Sequence, residues 1–250
     1  MRESETTGRK MGERTCERVH RDNRDNIAVY LENVTTAYPR CTDPALKEVS
    51  LSIEEGSIAL VTGPNGAGKT TLLELILGFL RPLVGTVRIL GYRIPEHVRK
   101  VRLLSSYLMQ DFMRGPNETY TVKQVVSMGL APYKPPIRSL SDKEKKRVIE
   151  AIATVGLLGL EDRPIGTLSG GQQQRVFLAR VLVRQPKLIL LDEPFSSLDR
   201  EGRIECSELI NKIKTKLNTT IVVVSHDKKP ILKYVDKIIE MENGRVARIK

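Results

Sequence analysis

The sequence predicts an α/β fold: a parallel sheet covered by helices on both faces, with a small helical lobe inserted into it. Three observations carry that reading. Short, mainly apolar stretches at 187–191 and 220–224 alternate with longer stretches of helical spacing, as strands buried on both faces do. Gly63-Pro64-Asn65-Gly66-Ala67-Gly68-Lys69-Thr70 follows an apolar strand and opens a helix. Between about 111 and 167 the pattern breaks into short helices interrupted by Pro132, Pro135 and Pro136.

The elements follow in order. Residues 1–26 are polar, mixed in charge and poor in apolar side chains, and are expected to be a disordered tail. Strands are expected at 27–31, 51–53 and 57–62, and a further strand and turn at 86–94. Residues 71–80 lack breakers and read as a helix stopped by Arg81-Pro82. Ser141-Asp142-Lys143-Glu144 is a capping box, followed by Val148, Ile149, Ile152 and Val155 at helical spacing. A helix over 172–184 ends before Pro186, and a buried strand follows at 187–191. The next helix starts near Asp199, with Ile204, Leu209, Ile210, Ile213 and Leu217 as its apolar face. After the strand at 220–224, Glu242-Asn243-Gly244-Arg245 reads as a hairpin turn. No internal repeat is evident, so residues 27–250 are read as one unit.

Composition sets limits. The 250 residues, 40% hydrophobic, suffice for one large core with a small lobe. No run of 18 apolar residues occurs and the amino-terminal stretch has no apolar segment, so neither a membrane span nor a signal peptide is expected. Cys16, Cys41 and Cys206 are scattered and odd in number, which suits unpaired thiols better than a metal site. The formal charge of +11 invites a nucleic-acid role. Residues 1–26 contribute seven Lys/Arg against six Asp/Glu, so nearly all of the excess is spread over the folded part. Aromatics make up 4% and do not interleave with basic residues, so no nucleic-acid partner is expected.

The chemistry is concentrated in a few stretches. Gly63 to Thr70 fits G-x-x-x-x-G-K-[ST], in which glycines let backbone N–H groups close around phosphates. Lys69 would reach the β- and γ-phosphates, and the Thr70 hydroxyl would ligate Mg²⁺. The apolar strand ending in Asp192-Glu193 offers a carboxylate for Mg²⁺ and, in Glu193, a general base for water. Leu168-Ser169-Gly170-Gly171-Gln172 opens a helix with a hydroxyl and two glycines. The free N–H groups there would face an anion.

Taken together, these residues resemble the ATP-binding cassette ATPases, from about 27 to 250. The resemblance implies a P-loop NTPase (RecA-like) core with an antiparallel β subdomain and an inserted α-helical subdomain at about 111–167. It implies ATP and Mg²⁺ as cofactors. Tyr38, 25 residues before Gly63, fits the aromatic that stacks on adenine, and it would serve equally as a packing ring. Thr71 extends the phosphate loop. Gln110 fits the glutamine that senses Mg²⁺ and the γ-phosphate. Ser197-Leu198-Asp199 fits the loop following the acidic pair, where Asp199 also suits a helix N-cap. His226 fits the switch histidine. Glu193, His226 and Gln110 are thus the implied catalytic residues, and Thr70, Gln110 and Asp192 the implied metal-holding ones.

The same resemblance implies that two copies pack head to tail. Ser169, Gly170, Gly171 and Gln172 of one would then bind the nucleotide held by Lys69 and Thr70 of the other. A single cassette without a membrane segment looks like the ATP-hydrolysing subunit of an importer. Its implied partners are a second such subunit in a homodimer, an integral membrane permease and, indirectly, an extracytoplasmic substrate-binding protein. Its expected place is the cytoplasmic face of the cell membrane. Residues 110–116 would line the groove that receives the permease. Thr121 to Gly129 and Asp162 to Arg175 resemble zinc/manganese-type importers. Iron-chelate and cobalamin importers share a similar Met-Gly pair, and a soluble ATPase acting on nucleic acid or protein complexes is the alternative from another class.

Overall fold

The structure, a computed structural model, describes residues 26–109, 117–133 and 139–250. The charged tail expected at 1–26 lies outside these residues but for Asn26, and Gln110 lies outside them too. Among the described residues there are two sheets. β1 (Ile27–Thr36), β2 (Leu46–Glu54), β4 (Val84–Ile89) and β5 (Tyr92–Ile94) form an antiparallel sheet in the order β2-β1-β4-β5. β3 (Ile58–Thr62), β6 (Ser105–Leu108), β7 (Leu188–Asp192), β8 (Thr220–Val224), β9 (Lys237–Glu242) and β10 (Arg245–Ile249) form the other, in the order β10-β9-β3-β8-β7-β6. All its pairs are parallel except β9–β10, which Asn243 (φ 49°) and Gly244 (φ 77°) join in a tight turn.

Every residue of β3, β7 and β8 is buried. Ile58, Leu60, Ile189, Leu191, Ile221 and Val223 point into one core, and Ala59, Val61, Leu188, Leu190, Val222 and Val224 into another. The two cores are the two faces of one sheet, which is why these strands read as unbroken apolar runs. Helices α1 (Lys69–Ile76) and α2 (Val98–Leu104) lie with the antiparallel sheet on the second core. Helices α3 (Val122–Ser127), α4 (Asp142–Thr154), α5 (Gly170–Leu182) and α6 (Arg200–Leu217) cover the first. This is the P-loop NTPase architecture that the sequence leads one to expect.

Several expectations are corrected. The helix placed at 71–80 runs over Lys69–Ile76. Gly78, at φ 67°, ends it: its N–H donates to Leu75 O and the Phe79 N–H to Glu74 O. A Cβ at Gly78 would lie 2.7 Å from Val98 Cγ2, so packing as well as φ calls for glycine. Residues 86–94 hold two strands about a turn, with Leu90 and Gly91 both at positive φ. Ile149 and Ile204, assigned to apolar faces, are 42% and 45% exposed, while Val148, Ile152, Val155, Ile210 and Ile213 are buried as expected. Helix α2 and strands β6 and β9 were not foreseen. In α2, Arg99, Lys100 and Arg102 obscure the pattern, and only Val101 is fully buried.

Candidate functional site

The parallel register brings the carboxyl ends of β3, β7 and β8 to one edge: Val61 pairs with Val224, and Val224 with Asp192. Such an edge is where open α/β sheets hold ligands. Gly63, Asp192-Glu193 and His226 therefore meet although more than 160 residues separate the first from the last. A cleft of about 830 Å³ lies there. Its lining includes Tyr38, Gly63, Pro64, Asn65, Gly66, Gly68, Lys69, Thr70 and Thr71, with Asp192, Glu193 and His226 opposite. Ala67 is buried beneath the loop, where its carbonyl accepts from the Gly244 N–H at 3.1 Å.

The loop conformation depends on its glycines at two points. Gly63 sits at φ 151°, and a Cβ there would fall 2.1 Å from Met241 O. Gly68, at φ 94°, caps α1, and a Cβ would fall 2.8 Å from Leu46 Cδ2. No side chain caps α1, so its first N–H groups open into the cleft, a setting that favours an anion. The Lys69 ammonium is held at the loop by Gly63 O at 3.0 Å and Pro64 O at 2.9 Å. The Tyr38 hydroxyl donates to Glu74 Oε2 at 2.7 Å and lies 3.1 Å from Thr71 Oγ1, which fixes the ring on the cleft wall.

The acidic side is tightly built. Asp192, 2% exposed, takes the Thr70 hydroxyl on Oδ2 at 3.0 Å and the Tyr107 hydroxyl on the same oxygen at 3.2 Å. Its Oδ1 is buried without a hydrogen-bond partner among the described residues. Burial pushes the Asp192 carboxyl up from the usual range, and the Thr70 and Tyr107 hydroxyls draw it part of the way back. Glu193 stands at φ 48°, a strained conformation for a residue with a side chain. Its N–H donates to Val224 O at 2.9 Å, and its carboxylate lies 2.9 Å from His226 Nδ1 and accepts the His226 N–H at 3.1 Å. Buried Ser225 adds its hydroxyl at 3.4 Å. A carboxylate next to an imidazole, across a cleft from a lysine and a hydroxyl, can activate water against a phosphoryl group.

Ser169, Gly170, Gly171, Gln172 and Asp199 are not in this cleft. They line a second one of about 590 Å³, with Ser197 and Leu198. There one expectation changes. Ser169 and Gln172 form a reciprocal capping box, Ser169 Oγ accepting from the Gln172 N–H at 3.3 Å and Gln172 Oε1 from the Ser169 N–H at 3.1 Å. The Gln172 N–H is therefore taken, and the N–H groups of Gly170 and Gly171, first in α5, remain without an intrahelical acceptor. A Cβ on Gly171 would meet only Leu198 Cδ2, at an ordinary 3.9 Å. Nothing among the described residues requires glycine there. Asp199 caps α6, its Oδ1 accepting from the Gly202 N–H at 2.8 Å.

Sequence reasoning missed Tyr107, Ser225 and Gln174. Gln174 is 1% exposed and donates to Pro194 O at 2.8 Å, tying α5 to the loop after Glu193. The S-x-x-Q spacing of Ser169 and Gln172 was a signal available for the capping box. No local pattern marks Tyr107, whose place depends on the pairing of β6 with β7.

The profile of the ABC transporter family matches residues 46–196, which carry both the phosphate loop and the acidic pair. The chain belongs to the ABC transporter family. This ABC ATPase domain is 36% identical over 206 residues to the manganese transport system ATP-binding protein MntA of Synechocystis, covering 82% of this chain and 78% of that protein. It is 34% identical over 226 residues to the spermidine/putrescine import ATP-binding protein PotA of Mesoplasma florum, covering 90% of this chain but only 62% of that one. Among solved structures, the dimeric post-hydrolysis state of the ATP-binding cassette MJ0796, bound to ADP and phosphate, matches with a TM-score of 0.74 at 31% identity. That match covers 89% of this chain and 97% of the other.

Proposed function

We propose that this ABC ATPase domain is the ATP-hydrolysing subunit of an importer, working as a head-to-tail pair of copies on the cytoplasmic face of a membrane permease. The observation that carries this reading is the Glu193–His226 pair lining one cleft together with Lys69, Thr70 and Asp192. The phosphates of ATP suit the open N–H groups of α1 and the Lys69 ammonium, which would leave its two carbonyl partners for the β- and γ-phosphates. Glu193 takes a proton from the attacking water, and His226 orients that carboxylate and contacts the γ-phosphate. Bonds from Ser225 and His226 hold the Glu193 carboxylate at the cleft wall.

The donor set fits Mg²⁺: a hydroxyl at Thr70 and a buried carboxylate whose Oδ1 has lone pairs unused. When bound, the ion would neutralise charge on the β- and γ-phosphates. Thr70 and Asp192 would hold it, with Gln110 as the third residue that the family resemblance implies. Tyr38 supplies the ring beside the base.

The second cleft supports the pairing of copies. Gly171 has no internal reason to be glycine, and a closely approaching partner supplies one. Ser169, Gly170 and Gly171 of one copy then complete the γ-phosphate site of the other, with Asp199 at the joint. MJ0796, solved as a dimer, has the same fold. No helix among the described residues is long and apolar enough to cross a membrane. In this reading the path is supplied by an integral membrane permease, fed from outside by a substrate-binding protein.

For cargo we infer metal ions of the zinc/manganese type, on the likeness to MntA and on the segments around Met128-Gly129 and Asp162 to Arg175. Gly129 also has a packing role: a Cβ there would sit 2.2 Å from Arg180 O. Growth of a deletion strain across single limiting metals tests this, and a defect confined to polyamine-limited medium would refute it. Co-purification with a membrane permease tests the transport reading. ATPase activity that rises only with DNA or RNA would overturn it.

A further inference from the structure

One hydroxyl in the acidic half of the cleft belongs to none of the motifs. Tyr107 lies on β6, the edge strand, whose parallel register sets Tyr107 opposite Leu190 and Leu108 opposite Leu191 on β7. From there its hydroxyl reaches across to Asp192 Oδ2 at 3.2 Å, the oxygen that also takes the Thr70 hydroxyl at 3.0 Å. Two donors on one oxygen, arriving from different elements, fix the rotation of the carboxylate about its last bond. The other oxygen, Oδ1, is buried and has no hydrogen-bond partner among the described residues. A buried carboxylate oxygen with nothing to accept is costly unless a ligand completes it.

We propose that Tyr107 is a positioning residue for the divalent-cation half of the site, holding Asp192 by Oδ2 so that Oδ1 is the oxygen kept for the cation and its water. The inference rests on the reading of Thr70 and Asp192 as the cation-holding pair. Thr70 alone cannot serve both purposes fully: an oxygen turned toward a cation has its single proton as the only link left to Asp192, whereas Tyr107 is not among the cleft-lining residues and is free to hold the carboxylate throughout.

The test uses the full chain with the β,γ-imido analogue of ATP and Mn²⁺ as a paramagnetic probe, comparing wild type with Tyr107→Phe, which keeps the ring and removes only the hydroxyl. Binding of Mn²⁺ is read by electron paramagnetic resonance, and affinity for the analogue is measured separately in EDTA. Tyr107→Phe is expected to weaken Mn²⁺ binding about threefold to tenfold, the size of one ordinary net hydrogen bond, because Thr70 remains as a second donor. Affinity in EDTA is expected to stay unchanged. Asp192→Asn runs alongside. If it weakens Mn²⁺ binding and Tyr107→Phe does not, the role of Tyr107 is overturned while the cation site stands. If neither has an effect, the cation reading fails and takes this inference with it. Loss of metal-free analogue binding in Tyr107→Phe would make the hydroxyl a general support of the cleft and also overturn the proposal.

Discussion

Glu193 concentrates the chemistry at the residue scale, because strain, burial and three donors all act on one carboxylate. Glu193→Gln keeps the size and most of the hydrogen bonds but removes the base. Turnover is expected to fall by about 10²–10⁴-fold, with nucleotide affinity retained. Phosphate release and equilibrium binding measured on the same preparation check both halves. The family motifs made Lys69, Thr70, Asp192, Glu193 and His226 legible in the sequence, since each stands at a fixed offset from a strand end. Tyr107 and Ser225 were not legible. Tyr107 reaches Asp192 only through the lateral pairing of two strands, and β6 lacks the length or alternation that would have revealed it. Tyr38 was found by its distance from Gly63, but its bonds to Thr71 and Glu74 depend on how β1 and α1 pack.

Helix ends decide most of the site at the element scale. α1 starts without a side-chain cap and so leaves donors for a ligand, while α5 starts with a full capping box and leaves fewer. The two glycines of α5 are thus separable from its serine. Ser169→Ala is expected to lower unfolding stability by about 0.5–2 kcal/mol, because it removes a cap, and chemical denaturation measures that loss. Gly171→Ala is expected to leave stability undiminished, since the added methyl meets only Leu198 at 3.9 Å, yet to cut turnover about tenfold or more by obstructing the partner. Equal losses of stability in both variants would mean that Gly171 matters only to the fold. The sequence marked the helix beginnings well, because hydroxyl caps and glycines announce them. It marked the end of α1 poorly: Gly78 is an ordinary helix-stopping signal that the apolar residues on both sides concealed. In α2 the basic residues hid an element whose packing relies on Val101.

At the scale of the whole molecule, one chain carries two separate clefts, which the proposed pairing of copies would join into one site. The first cleft has the phosphate loop and acidic pair, the second has the N–H groups of α5, and α5 is tied back to the loop after Glu193 by the Gln174–Pro194 bond. The buried strands β3, β7 and β8 were legible as apolar runs. Their order, their meeting at a common edge and the separation of the two clefts needed the structure. With Glu193→Gln, ATP is expected to trap a species of twice the monomer mass in size-exclusion chromatography with light scattering, and ADP is not.

Complementation measures the central claim most directly. Lys69→Ala disables the phosphate loop and Gly171→Asp the α5 half, and each variant alone is expected to hydrolyse no ATP. In a mixed pair, one site collects both defects and the other has none. Equal amounts mixed are therefore expected to recover about a quarter of the wild-type rate. A mixture as inactive as its components would contradict the account, because it would mean that each chain must supply both halves of its own site.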